Sequence, residues 1–220
     1  MKKTAAFLLT LIGAFVFALA GCANGDTFTE KTYTADGAGL EKVMIQAEDR
    51  EIEVYPSDDG QIRIEYFDGE KEYLEIAVTE EKELTVTLTY NKEWTDFIGT
   101  KPSAGYRKIR IGLPDSLLSS LSASTTNESI TVRSLSFSES VSLASNGGSV
   151  ICERVNAGKS LSLTAKDGDI SGSVVGGWDD YSISCTIKKG ESNLPESKED
   201  GGKSLTVDCN NGDVNIEFVK

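Results

Sequence analysis

From Leu121 to the C-terminus one short phrase recurs: LSASTTNESITV, VSLASNGGSVIC, LSLTAKDGDISG, ISCTIKKGESNL and LTVDCNNGDVNI. Aligned on Glu128, Gly148, Gly168, Gly190 and Gly212, the phrases follow one another at 20, 20, 22 and 22 residues. Seven residues before these anchors stand Leu121, Val141, Leu161, Ile183 and Leu205. Five before stand Ala123, Leu143, Leu163, Cys185 and Val207. Between these columns runs a polar one of Ser122, Ser142, Ser162, Ser184 and Thr206. Two and four residues after the anchors are Ile130 and Val132, Val150 and Cys152, Ile170 and Gly172, Ser192 and Leu194, Val214 and Ile216. Alternation with a period of two is the signature of a strand with one wet face. Asn127, Asp167 and Asn211 stand just before their anchors and tolerate positive φ, so the anchors read as tight turns.

A strand-turn-strand unit of this size cannot bury its apolar face alone, whereas stacked units can. The expected fold is therefore all-β: a β-solenoid of stacked 20–22-residue coils over residues 115–220, each apolar column forming an internal ladder. Leu135, Phe137, Val155 and Val175 are candidates for a third short side. A meandering antiparallel β-sandwich would give the same alternation and is the structural alternative.

The first half is less regular. Val43 and Ile45, then Ile52 and Val54, match the later columns if Arg50 takes the anchor position. Further strands are expected around residues 62–64, 74–78, 84–88 and 109–114. Between Tyr90 and Ile109 lies a long connection carrying Trp94, Phe97 and Tyr106. Asp26 to Gly39 reads as a linker.

Residues 1–21 read as a signal peptide. Lys2 and Lys3 precede an apolar run from Ala5 to Ala20, interrupted by Thr10 and Gly13. That run is shorter than the roughly 20 residues a membrane span needs. Leu19-Ala20-Gly21-Cys22 closes it and resembles the lipobox of bacterial lipoproteins, which implies cleavage before Cys22 and lipid on its thiol. Acyl chains there would anchor the protein to the extracytoplasmic face of a bacterial membrane. The organisation expected is signal peptide 1–21, lipidated N-terminus and linker 22–39, and a β-repeat domain 40–220.

The repeats also carry a resemblance. IRIGLPDSLLSSLSASTTNESITV at 109–132, with GGSV at 147–150, DGDI at 167–170 and NGDV at 211–214, resembles the bacterial putative-adhesin family of β-strand-repeat domains of unknown function. The resemblance covers about residues 40–219. It implies a solenoid-like fold and an envelope role, in some relatives beside envelope-stress signalling. It brings no catalytic residues. Glu128 and Glu191 depart from its Gly-Asp turns.

The chain contains no histidine. That removes Ser-His-Asp and Cys-His nucleophiles and histidine-ligated metals. Asp167, Asp169, Asp179, Asp180 and Asp213 are explained by turn chemistry, without a calcium site. Loss of residues 1–21 takes Lys2 and Lys3 from 22 basic residues and none from 35 acidic ones, leaving a mature net charge of −15. Such a surface does not suit nucleic acid. The function expected is a non-enzymatic, lipid-anchored binding or adhesion module or envelope-stress accessory. It would need no cofactor and would meet an envelope protein or cell-wall glycan. A carbohydrate-active enzyme on a β-helix scaffold is the alternative by fold analogy. Trp94, Phe97 and Tyr106 are the candidate binding residues, since loops on rigid scaffolds often carry function; the other reading is that they fold back and cap the end of the solenoid. Cys152, Cys185 and Cys209 fall in interior columns. Cys185 and Cys209 are two residues out of register, too far apart to bridge on neighbouring coils. Three buried free thiols are expected, with a Cys185–Cys209 staple between coils as the rival reading for an exported protein.

Overall fold

The computed structural model describes residues 21–23, 26–93 and 101–220, with side chains from Thr27 onward. Residues 1–20 of the signal peptide, the side chain of Cys22, Trp94 and Phe97 lie outside the described residues.

The repeats stack as coils of two strands. β9 (Ser120–Thr125), β12 (Ser140–Ser145) and β14 (Ser160–Asp167) pair in parallel in one sheet. β10 (Ile130–Arg133), β13 (Val150–Ala157), β15 (Ile170–Val175) and β19 (Val214–Val219) pair in parallel in the other. The register is the one the columns require: Leu121, Val141 and Leu161 lie side by side, as do Ile130, Val150, Ile170 and Val214. Their side chains are buried between the sheets. The outward serines Ser122, Ser142 and Ser162 pair in register with one another.

The first half joins the same stack. β3 (Lys42–Gln46) lies beside β9 with Val43 opposite Leu121 and Ile45 opposite Ala123. β4 (Glu51–Ser57) lies beside β10 with Ile52 opposite Ile130 and Val54 opposite Val132. Arg50 therefore occupies the anchor position, as its spacing predicts. β7 (Glu83–Tyr90) and β8 (Lys108–Pro114) pair with β3 and β4, Leu84 meeting Val43 and Ile109 meeting Ile52. They form one more coil, in which residues 91–93 and 101–107 stand at the anchor end. Antiparallel strands close that end: β6 (Glu72–Val78) on β7, and β5 (Gln61–Asp68) on β8.

Four details differ from the sequence reading. First, the stretch read as a linker is mostly strand. β2 (Asp26–Asp36) pairs with β5 from Thr29 to Asp36, and Phe28 is 1% exposed. Its threonines and Tyr33 favour strand, while its polar edge face mimics a linker. β1 (Gly21–Ala23) folds back on it, placing Cys22 opposite Thr27.

Second, the last two repeats stack out of order. β18 (Lys203–Asn211) lies beside β14, and β16 (Tyr181–Lys189) lies beyond β18. Both repeats carry equivalent columns, so periodicity alone cannot order them. The segment after β16 instead closes the far end. The Asn193 amide donates to the Ile216 carbonyl at 2.9 Å and accepts from its N–H at 3.0 Å. β17 (Ser197–Lys198) pairs along β16, so both edges are partly covered.

Third, Val174 rather than Val175 fills the inward place beside Val155, because the pairing shifts between Cys152 and Val155. Leu135 and Phe137 of the third side are buried, and β11 (Ser136–Phe137) pairs with β13.

Fourth, the anchor glycines answer to crowding as well as to positive φ, which Gly190 and Gly212 adopt at 121° and 157°. Asn127, Asp167 and Asn211 have no positive φ. A Cβ on Gly148 would stand 2.2 Å from the Glu128 carbonyl carbon, and one on Gly168 would stand 2.5 Å from that of Gly148. Each turn rests on the backbone of the turn below.

The three described thiols are buried and unpaired. Ile187 rather than Cys185 faces Cys209, so the two sulfurs are out of register as the columns predict.

Candidate functional site

The anchor turns form one rim of the molecule, and two hydrogen-bond ladders run along it. In the first, the residue after each anchor accepts from the N–H of its counterpart in the next coil. Ser129 accepts from Ser149 at 3.1 Å and Ser149 from Asp169 at 3.2 Å; Asp169 accepts from Asp213 and Asp213 from Glu191, both at 2.8 Å. In the second, the residue three before an anchor donates inward to the anchor carbonyl of the coil beneath. Thr125 donates to Arg50 at 2.8 Å, Ser145 to Glu128 at 2.8 Å, and Cys209 to Gly168 at 3.5 Å. The turn aspartates Asp169 and Asp213 are thus engaged in stacking. Among the described residues no three acidic or thiol groups converge as a metal site requires. Cys152 behaves likewise as core: burial pushes its thiol up to about 12.

Where the anchor end of the β7–β8 coil meets the closing strands, the rim carries its densest charge. Arg50 and Glu72 form a buried pair at 2.6 Å, and Lys92 also reaches Glu72. Burial works to raise the Glu72 pKa, but Lys92 and Arg50 outweigh it and hold the carboxyl below its ordinary range. Lys101 bonds Asp49 at 2.8 Å and Arg107 pairs with Glu128, so residues 101–107 are tied to the stack. Tyr106 stacks on Phe28 with ring centres 5.1 Å apart and meets Phe67 edge-on at 5.4 Å. Of the three aromatics singled out between Tyr90 and Ile109, Tyr106 is therefore placed in packing that caps the stack.

On the outer face of the β3–β9–β12 sheet, beside Tyr90, a groove of about 520 Å³ opens at the anchor rim. Its floor includes Thr87, Gln46, Ser124 and Ala144 from four neighbouring strands. Glu48, Tyr90, Thr126 and Asn146 border it. Gln46, Glu48 and Asn146 are exposed. Thr126 is already bound to Asp49. Burial pushes the Tyr90 hydroxyl up to about 12, with Glu48 adding to the effect, so the ring presents a neutral phenol at any physiological pH. Glu48 is the single carboxylate among the described lining residues. The sequence reading missed this groove. Its residues occupy outward columns on strands that come together only through stacking.

The opposite outer face carries the clustered carboxylates. Glu53 accepts from Lys108 at 3.1 Å, Arg110 at 3.3 Å and Arg133 at 2.7 Å, while Glu51, Glu65 and Glu153 pair with Lys108, Arg110 and Arg133 in turn. Burial works to raise the Glu53 pKa, yet Lys108 and Arg133 hold it low. These groups form a salt-bridge lattice along the sheet.

Residues 40–217 match the family described as Toastrack DUF4097. The chain belongs to this family. The resemblance read from the repeats is thereby borne out, and the Toastrack domain is the β-solenoid-like body described above. A crystal structure of a putative cell adhesion protein from Clostridium sporogenes shares the fold with a TM-score of 0.65 at 12% identity, covering 87% of this chain and 100% of that one. A putative adhesin from Bacteroides fragilis is also similar, with a TM-score of 0.38 at 13% identity over 87% and 97% of the two chains. So is a putative lipid binding protein from Parabacteroides distasonis, with a TM-score of 0.29 at 13% identity over 90% and 98%. No curated protein matches. Among the described residues no helix is long and apolar enough to cross a membrane.

Proposed function

We propose that this chain is a non-enzymatic, lipid-anchored binding module of the bacterial envelope, and that the groove beside Tyr90 takes a neutral saccharide of the cell wall. One observation carries the reading. The groove combines an aromatic wall with the amides of Gln46 and Asn146, the Glu48 carboxylate and the Thr87 hydroxyl on a rigid sheet. A few oriented polar groups beside an apolar ring suit a ligand that alternates hydroxyls with apolar ring faces. The chain's net charge of −13 works against a polyanionic glycan. Binding is favoured over hydrolysis because glycoside cleavage ordinarily takes two carboxyl groups flanking the bond. Here Glu48 stands alone among the described lining residues, and the clustered carboxylates of the other face are bound to cations. The anchor reading is supported by Leu19-Ala20-Gly21-Cys22 after an apolar run.

Calorimetry on the full lipidated chain in detergent, against cellotetraose, chitotetraose and xylotetraose, tests the site. Binding of at least one is expected, weakened about tenfold by Gln46→Ala or Asn146→Ala, or about 1.4 kcal/mol each. Ser162→Ala, elsewhere on the same face, should bind as the wild type. Absence of binding to all three, or unchanged affinity in both groove variants, defeats the saccharide reading.

A further inference from the structure

We infer that the lipidated chain has no stalk and holds one defined surface against the bilayer: the corner where its anchor rim meets the closing strands. This rests on the lipid-anchor reading and follows from where β2 begins. Four residue steps separate Cys22 from Asp26, the first residue of β2. At most about 3.6 Å per step, that tether spans roughly 14 Å even fully extended. The folded arrangement is shorter still, since Cys22 lies directly opposite Thr27.

The start of β2 is firmly held. Phe28 is buried beneath the Tyr106 ring, and the next eight residues, Thr29 to Asp36, pair without interruption with β5. Lys31 adds an ion pair to Asp68 at 2.8 Å. The body along the stacking direction is long by comparison. The sheet that runs from β6 to β17 has nine strands. At about 4.8 Å between strands that is roughly 38 Å. A tether of roughly 14 Å keeps this end at the lipid, and with the stack upright the other end, around β16 and β17, stands roughly 38 Å further out.

Charge at the corner is largely paired. A chain this acidic is repelled by anionic headgroups. At this corner, however, Asp49, Asp68, Glu72 and Glu128 each carry a cation: Lys101, Lys31, Arg50 with Lys92, and Arg107. At the far end of the same rim Asp169 and Asp213 accept only from backbone N–H groups. The Tyr90 groove opens on the same rim, so its ligand is met close to the membrane.

The test uses the full chain, processed in cells and reconstituted into phosphatidylcholine–phosphatidylglycerol vesicles carrying a rhodamine headgroup acceptor. A donor dye is placed on Ser103→Cys at the corner or on Lys188→Cys at the far end of the same rim. Both positions are exposed, and the three buried native thiols do not compete for label in the folded protein. Energy transfer several-fold stronger from residue 103 than from residue 188 is expected. Inserting twenty Gly/Ser residues between Ala23 and Asp26 adds a coil of about 25 Å root-mean-square span and should erase most of the difference. Equal transfer from the two sites in a chain that floats with the vesicles overturns the orientation alone. A chain that fails to float, like a Cys22→Ala control, overturns the lipid anchor and the orientation with it.

Discussion

Substituting Gly168 by alanine tests the stacking of the coils at a close backbone contact. The backbone at Gly168 needs no positive φ, so alanine meets no conformational obstacle there. Its Cβ, however, would lie 2.5 Å from the carbonyl carbon and oxygen of Gly148 and 2.9 Å from the Ser149 nitrogen. All three are backbone atoms of the coil beneath, held by the ladder that joins Ser149 to Asp169, so none can swing aside. Overpacking of this kind costs about 1–3 kcal/mol, and backbone obstruction puts it at the upper end. Reduced freedom of the unfolded chain returns about 0.4–1 kcal/mol. The net loss is about 2 kcal/mol, a fall in Tm of roughly 4–8 °C for a domain this size. Gly202 is the control. Nothing lies within 4 Å of a Cβ there, so Gly202→Ala should melt at or slightly above the wild type. Scanning calorimetry on both variants decides the matter. Equal melting temperatures for Gly168→Ala and Gly202→Ala would mean that the turns do not rest on one another, and the solenoid register would fail.

Leu163→Asp, which buries an unpaired charge between Val207 and Leu143 on the neighbouring strands, should unfold several coils, while Ser162→Asp on the outward face should shift Tm only slightly, as circular dichroism melts would report. Cys209→Ser keeps the donor to the Gly168 carbonyl and should hold stability, whereas Cys209→Ala should lose about 1 kcal/mol by denaturant titration. Thiol counting on denatured, non-reduced protein should find Cys152, Cys185 and Cys209 all reactive, against only one if a disulfide had formed. Glu72 has a folded pKa held below its unfolded value, so its stabilising share is present above the unfolded pKa of 4.5 and fades as pH falls through and below it. Glu72→Gln should therefore flatten the acid limb of the stability curve and cost about 3–5 kcal/mol at neutral pH, because Arg50 is left buried without its partner.

The register of the fold was legible in the chain because it is written in side-chain alternation. Residues that must face a common core recur at a constant spacing, and the match of Val43, Ile45, Ile52 and Val54 to Leu121, Ala123, Ile130 and Val132 held across nearly eighty residues of intervening chain. The buried thiols followed from the same columns. Other features depended on contacts that no local pattern encodes. The order of the last two coils turns on which strand lies beside β14, and the Ile183 and Leu205 columns are equally good candidates for that place. β2 escaped notice because Phe28 is its one buried apolar side chain and Tyr33 packs only partly against the core, while most of its other residues look polar. The anchor glycines were assigned to the right turns for an incomplete reason, since backbone crowding between coils arises only once the coils are stacked. The Tyr90 groove likewise exists only in the assembled sheet. Gln46, Thr87, Ser124 and Ala144 come from distant stretches of sequence, and parallel stacking alone sets them side by side.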